Sequence, residues 1–292
     1  MSSLQKRNLW AWAFLVPTLA IFLVVGLYPL VQTFLTSLTN ARLGSTRAPE
    51  FVGLDNYATL LRDREFWVVV LRTVLFTVVS VALEFALGMV IAMIVHSPFR
   101  GRGLMRTAML VPWAIPTVVS ARIWSYMLQD TYGVANDLLA TRLGLLDSKV
   151  AWLAEPTLAF ACVVAVEVWK TTPFVALLLL AGLQLIPDEI HEAAEVDGAS
   201  RGQRFRLLTL PMLKPAILVA LIFRTLDALR IFDAVWVMTR GQAGTEMMAT
   251  YNYRQMIDFQ QLGFGSAVSV AIFLLIAVFV VAYVTMLRTE RG

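Results

Sequence analysis

The side chains of this chain that can do chemistry are ionisable residues set inside long apolar runs. Arg224, Asp227, Arg230 and Asp233 recur at intervals of three; Glu167 and Lys170 share that spacing; Glu84 and Arg122 each stand alone in an apolar run. An ionised group at bilayer depth costs roughly 2.5 to 3.5 kcal/mol, so such groups either pair and lock helices together or line a path for a polar solute. Helix neighbours at i and i+3 can pair. The spacing therefore predicts a Glu167–Lys170 pair and an alternating ladder from Arg224 to Asp233. Three residues advance a helix by about 300°, so the ladder winds round the helix and cannot face one pore throughout. Glu84 and Arg122 need partners from other segments. Carboxylates accept hydrogen bonds from hydroxyls, while Arg and Lys donate them. Locking and lining both fit these residues.

Other chemistries find little support. Cys162 is the single cysteine and sits in an apolar run, so no disulfide within the chain is possible. His96 and His191 are the only histidines and lie far apart in sequence, which suggests no metal cluster. No G-x-x-x-x-G-K-[ST] phosphate loop occurs. The chain is expected to bind no cofactor of its own. Its basic residues fall in short clusters between apolar spans, which speaks for membrane topology and against nucleic acid.

The elements that must hold the charges are membrane helices. The chain has 292 residues, 59% hydrophobic and 15% charged, where soluble domains carry about 25% charged residues. A helix needs about 20 apolar residues to cross the hydrocarbon core. Six segments qualify or nearly do: Leu9–Leu38, Phe66–Val95, Leu104–Leu128, Pro156–Leu185, Pro211–Met238 and Leu262–Leu287. The expected fold is all-α, a polytopic membrane protein of six transmembrane helices forming one domain over residues 1–292. The charge-free run from Asn8 to Ala41 exceeds a signal-peptide core and reads as a retained first span. The basic clusters Lys6/Arg7, Arg100/Arg102/Arg106, Arg201/Arg204/Arg206/Lys214 and Arg288/Arg291 then share one side. The positive-inside rule makes that side cytoplasmic, with both termini there. Pro112, Pro116 and Pro173 fall inside spans, where each removes a backbone hydrogen bond and kinks its helix. On the outer side, Phe51 to Tyr57 reads as a turn into a short amphipathic helix, and Val134 to Leu145 as another short helix.

One cytoplasmic segment, residues 186–211, is polar and well punctuated. Pro187, Asp188 and Glu189 start a helix that runs through Glu195. Asp197-Gly198 stops it, since glycine accepts φ > 0 at a helix end. Ser200 and Gln203 form a capping box for a second short helix, which Pro211 ends, and Pro215 lets the next span begin. Ala193, Ala194 and Ala199 leave part of the knuckle small enough for another protein to approach.

This segment resembles the EAA loop of the integral-membrane subunits of ABC importers. Glu192, Ala193, Ala194, Asp197, Gly198, Leu210 and Pro211 match that pattern, with Leu208 in place of the usual Ile. Tyr28-Pro29, the Phe51–Tyr57 stretch and Leu180–Gln184 look like the carbohydrate branch. Glu167–Phe174, Phe223–Asp227 and Arg230–Asp233 resemble trehalose/maltose-type permeases. Arg240-Gly241-Gln242-Ala243 departs from the Gly-Gly-Pro-like turn of many relatives.

The resemblance implies a type I ABC importer permease fold in the plasma membrane of a prokaryote. It implies half of a translocation pore for a sugar, a disaccharide such as trehalose or maltose, and no enzymatic activity in this chain. The implied partners are a second homologous permease, two ATP-binding subunits carrying ATP and Mg, an extracytoplasmic sugar-binding protein and membrane lipid. The matched loop residues would couple to the ATPase. Trp113, Trp124, Trp169 and Trp236 would either stack on sugar faces or sit at the membrane interface. Two rivals stand beside this reading. A permease for glycerol phosphate calls for convergent cations without matched acids. An ion-coupled secondary transporter explains the embedded acids but leaves the cytoplasmic knuckle idle.

Overall fold

The computed structural model describes residues 3–289. Arg291 of the last basic cluster lies outside the described residues, as do the side chains of Lys6, Arg7 and Arg288. The chain is helical nearly throughout. Helix α1 (Ser3–Ile21) passes through a π-helical stretch, Phe22–Leu27, into α2 (Tyr28–Ser37), and α3 (Asp55–Arg62) and α4 (Arg64–His96) follow. Next come α5 (Arg102–Ala114), α6 (Thr117–Met127), α7 (Val134–Asn136) and α8 (Pro156–Leu183). The segment expected on the cytoplasmic side holds α9 (Asp188–Val196) and α10 (Arg201–Arg204). The remainder is α11 (Leu210–Ala228), α12 (Asp233–Met238), α13 (Met248–Tyr253) and α14 (Leu262–Thr289).

Five helical stretches are long and apolar enough to cross a membrane: Trp12–Ser37, Arg64–His96, Pro156–Leu183, Arg201–Ala228 and Leu262–Tyr283. The expected six spans are reached when α5 and α6, bent by 88° at their junction, count as one. The third span is thus a broken helix and not a continuous one. Its break lies at Ile115, extended at φ −73 and ψ 132, because Pro116 clashes with a helical conformation in the residue before it. Pro112 lies inside α5, and α8 runs on through Pro173.

Two further sequence expectations are corrected. Pro211 does not end the second short helix of the knuckle: Arg201–Ala228 forms one helical stretch. Its π-helical turn, Phe205–Thr209, passes the Leu210 N–H to the Phe205 carbonyl just ahead of Pro211, the kind of local widening that absorbs a proline. The fifth span also stops at Ala228 instead of Met238. Residues 229–232 turn, and α12 starts afresh at Asp233.

The chain divides into two compact units. One contains residues up to Phe66 together with Asn252–Leu275. Here the Phe51–Tyr57 stretch finishes the first span. Asn56 Nδ2 donates to the Ser37 and Thr39 carbonyls at 2.8 and 2.9 Å, and Val52 N–H donates to Leu38 O at 2.9 Å. These bonds satisfy carbonyls that a helix end leaves without partners. The expected short helix after this turn is α3. In the same unit Gly263 N–H donates to Ala41 O at 2.9 Å, and Arg254 pairs with Glu65 at 2.7 Å.

The second unit runs from Trp67 to Tyr251 and resumes at Ile276. Helix α8 is its axis. Val163, Val164, Val166 and Val168 pack with Phe76, Ala228, Val235 and Met247 in one cluster. Val175, Leu179, Leu180 and Leu183 pack with Ala92, Val95 and Leu213 in another. Every candidate site residue falls in this second unit.

Candidate functional site

Helix α8 places Glu167, Lys170, Thr171 and Phe174 along one stripe, at the i, i+3, i+4, i+7 spacing of a single helix face. Helix α11 supplies Phe223, Arg224 and Asp227, α5 supplies Trp113, and the turn into α12 supplies Arg230, Phe232 and Asp233. These residues surround a cavity of about 540 Å³. Trp113 and Thr117, which flank the interruption at Ile115–Pro116, and Arg230, Ile231 and Phe232 of the turn at 229–232 all line it. Interrupted membrane helices expose backbone only where a cavity or protein satisfies it, and transporters use such breaks at solute sites.

Arg224 is the centre of the charged cluster. Its Nε and Nη2 donate to the two Glu84 oxygens at 2.6 and 3.0 Å, Nη2 also donates to Glu167 Oε1 at 2.9 Å, and Nη1 donates to Asp227 Oδ2 at 2.6 Å. The pairing with Glu84 is bidentate, the strongest form of the contact. Glu84 is sealed, at 0% exposure, while the Asp227 side chain is 65% exposed toward the cavity. Arg224 thus ties α4, α8 and α11 together.

The predicted pairs are only partly formed. Of the Arg224–Asp233 ladder, the Arg224–Asp227 step is an ion pair among the described residues. The rest fails because α11 ends between Asp227 and Arg230, and Arg230 Nε turns back to the Leu226 carbonyl at 3.3 Å. Glu167 does not pair with Lys170 but with Arg224, whose guanidinium Glu84 already holds in place. Lys170 presents its side chain to the cavity instead. Glu84 finds its partner on α11, whereas Arg122 is exposed on α6 and does not line the cavity. Of the four tryptophans singled out in the sequence, Trp113 alone lines the cavity. It stacks on Phe174 at 5.9 Å, and Phe174 meets Phe223 edge-on at 6.4 Å. Trp124 and Trp169 pack on each other, and Trp236 stacks on Phe232.

Sequence reasoning overlooked Phe174, Phe223 and Thr171 as lining residues. Their spacing carried the signal: Phe174 follows Lys170 by four and Phe223 precedes Asp227 by four, so each shares a helix face with a flagged charge.

The knuckle formed by α9 and α10 is the second candidate site. Helix α9 closes with a complete Schellman cap: Ala199 N–H donates to Ala194 O at 2.9 Å and Gly198 N–H to Glu195 O at 3.0 Å, with Gly198 at φ +80. The expected capping box opens α10, with Ser200 N–H donating to Gln203 Oε1 at 2.8 Å and Gln203 N–H to Ser200 Oγ at 3.4 Å. Arg204 then pairs with Glu195 at 2.6 Å and clamps the two short helices. Glu192, Ala193, Asp197, Gly198, Leu210 and Pro211 are all exposed, and Ala194 is half-buried. Val196 and Leu185 are 89% and 83% exposed. Residues of the matched loop pattern thus do not serve the core. Beside them, a cleft of about 600 Å³ separates α9 from the α4–α5 turn, with Arg102 and Arg106 on one wall and Asp188, Glu192 and Glu195 on the other.

Comparison with known proteins places the chain in a family. Residues 84–290 match the family model described as the binding-protein-dependent transport system inner membrane component. The chain is 44% identical over 283 residues to the trehalose/maltose transport system permease protein MalF of Thermococcus litoralis, covering 95% of this chain and 93% of that protein. It is 41% identical over 277 residues to the trehalose transport system permease protein SugA of Mycobacterium tuberculosis, covering 95% and 88%. Among solved structures, a chain of a bacterial alginate ABC transporter, crystallised with an alginate pentasaccharide-bound periplasmic protein, superposes with a TM-score of 0.85 at 23% identity. It covers 98% of this chain and 96% of that one. That likeness shows the fold.

Proposed function

The chain belongs to the family of binding-protein-dependent transport system inner membrane components, and we propose that it is the membrane-spanning subunit of an ATP-driven importer of a neutral disaccharide such as trehalose or maltose. It is a multi-pass membrane protein and a transport subunit, not an enzyme. It forms half of the pore beside a second homologous permease. Two ATP-binding subunits, which hold ATP and Mg, dock on the knuckle, and an extracytoplasmic binding protein delivers the sugar. Both termini and the knuckle face the cytoplasm of a prokaryotic cell.

The observation that carries this reading is the knuckle. Its caps are complete, six of its seven matched residues are exposed, and Val196 stands in water unless another protein covers it. Burying such side chains contributes about 25 cal/mol per Å² of apolar surface. ATP-driven movement of the docked subunits pushes this rigid element, and the attached stretch Arg201–Ala228 carries the motion to Asp227 and the cavity wall.

The cavity supports a neutral, hydroxyl-rich solute. Glu167, Asp227 and Asp233 balance Lys170, Arg224 and Arg230 along its lining. Carboxylates and ammonium groups suit sugar hydroxyls, and the Trp113–Phe174–Phe223 group offers apolar ring faces. An organic phosphate would need cations in excess, so this balance disfavours the glycerol phosphate alternative.

The test is ATP hydrolysis by the purified assembly in lipid, with and without sugar-loaded binding protein, across a panel of disaccharides. Stimulation by one loaded sugar, lost in Gly198→Asp, is the expected result. Solute movement down an ion gradient with no ATPase copurifying would overturn it in favour of a secondary transporter.

A further inference from the structure

Glu84 touches no part of the cavity, yet it sits at one end of a chain of contacts that reaches it. The carboxylate is fully buried on α4 and grips both the Nε and Nη2 edges of Arg224, a residue 140 positions away. A guanidinium is rigid and planar, so fixing that edge sets the direction of the remaining nitrogen. That nitrogen, Nη1, donates to Asp227 Oδ2. Among the described residues nothing donates to Asp227 Oδ1, and the side chain opens into the cavity. Arg224 itself, 3% exposed, has all but one of its N–H donors committed and little left to offer a solute.

We propose that Glu84 is a positioning residue for transport: through Arg224 it fixes the Asp227 carboxylate so that its free oxygen accepts a hydroxyl of the passing sugar. This rests on the cavity being the sugar path, as proposed above. Glu167 braces the same guanidinium from α8, but it also lines the cavity, so its substitution confounds bracing with contact. Glu84 separates the two roles because it is buried behind the cavity wall.

The experiment measures sugar moved per ATP hydrolysed by the complete importer in proteoliposomes. Glu84→Gln is expected to lower that ratio about tenfold, the scale of one charge-assisted hydrogen bond, and Glu84→Asp to recover part of it. In the double variant with Asp227→Asn, Glu84→Gln is expected to lower the ratio no further, because both act through one carboxylate. A merely structural role moves uptake and ATP hydrolysis together and leaves the ratio unchanged, which overturns the proposal; so does an additive loss in the double variant. Should Glu84→Gln fail to assemble, Glu84→Asp decides: a lowered ratio supports the proposal and a wild-type ratio overturns it. A wild-type assembly in which no sugar stimulates ATP hydrolysis overturns the importer reading itself, and that result is visible before any variant is made.

Discussion

Arg224 Nε donates to Glu84 Oε2 at 2.6 Å, joining α11 to α4 inside the hydrophobic part of the molecule. Both side chains are sealed from solvent, and Glu167 and Asp227 accept from the same guanidinium. One cation therefore holds three helices in place through three carboxylates.

Arg224→Met leaves the buried Glu84 and Glu167 without that cation. Removing one partner of a buried pair costs about 3–5 kcal/mol. The expected outcome is a large drop in the thermal midpoint and in the yield of monodisperse protein in mild detergent. Arg230→Met, which removes a contact to a single exposed carbonyl, is expected to change the midpoint far less.

Gly198 at φ +80 has no heavy atom within 4 Å of where a Cβ would stand, so only its backbone restricts substitution inside this chain. Aspartate tolerates left-handed backbone. Gly198→Asp is therefore expected to fold and insert normally while losing sugar-stimulated ATP hydrolysis, because the new carboxylate stands on the face that the proposed function gives to the ATPase. Gly198→Val, β-branched at positive φ, is strained by about 1–2 kcal/mol. It is expected also to lose hydrogen-exchange protection over 188–199.

At Gly182, α8 packs tightly against α11. A Cβ there would lie 2.6 Å from Ala216 Cβ and 2.8 Å from Leu213 Cδ2. Gly182→Val is expected to destabilise the protein by about 1–3 kcal/mol through overpacking. Adding Ala216→Gly should restore part of the loss. Thermal unfolding of the single and double variants checks both statements.

Glu155 caps the start of α8, and its Oε2 accepts from the Leu158 N–H at 2.7 Å. That backbone bond, with a second from Thr157, holds the carboxyl below its ordinary value of 4.5. A depressed folded-state value means that the cap contributes stability above the ordinary carboxylate range and loses it as pH falls through that range. Wild-type protein should therefore lose midpoint between about pH 5 and pH 3 more steeply than Glu155→Gln. Equal slopes would show that the cap contributes nothing measurable.

Much of this protein was legible in its sequence because the signals are local. The Asp197-Gly198 stop and the Ser200–Gln203 box each depend on residues within a turn or two of one another and reappear in the structure as expected, and of the six apolar runs only the third, broken at its middle, and the fifth, cut short at Ala228, depart from a single helix of the expected length. The Glu192–Pro211 pattern likewise reads off a short segment, so the knuckle and its exposure needed no tertiary information to be singled out.

The charges were different. Their types and their presence inside spans could be read, but spacing alone assigned Glu167 to Lys170 and strung Arg224, Asp227, Arg230 and Asp233 on one helix. Two events of tertiary origin changed that: α11 stops at Ala228, and Arg224 reaches across to Glu84 and Glu167. A broken span at Ile115–Pro116 and the turn at 229–232 then open the cavity that Lys170 and Asp227 face. The sequence by itself determined most of the helices, their caps and the exposed knuckle after α8, because backbone hydrogen bonding and hydrophobic period act over a few residues. Only the tertiary structure decided which ionised groups neutralise one another and which remain for a solute, because a buried charge takes the best-oriented partner that packing brings near, however distant in the chain.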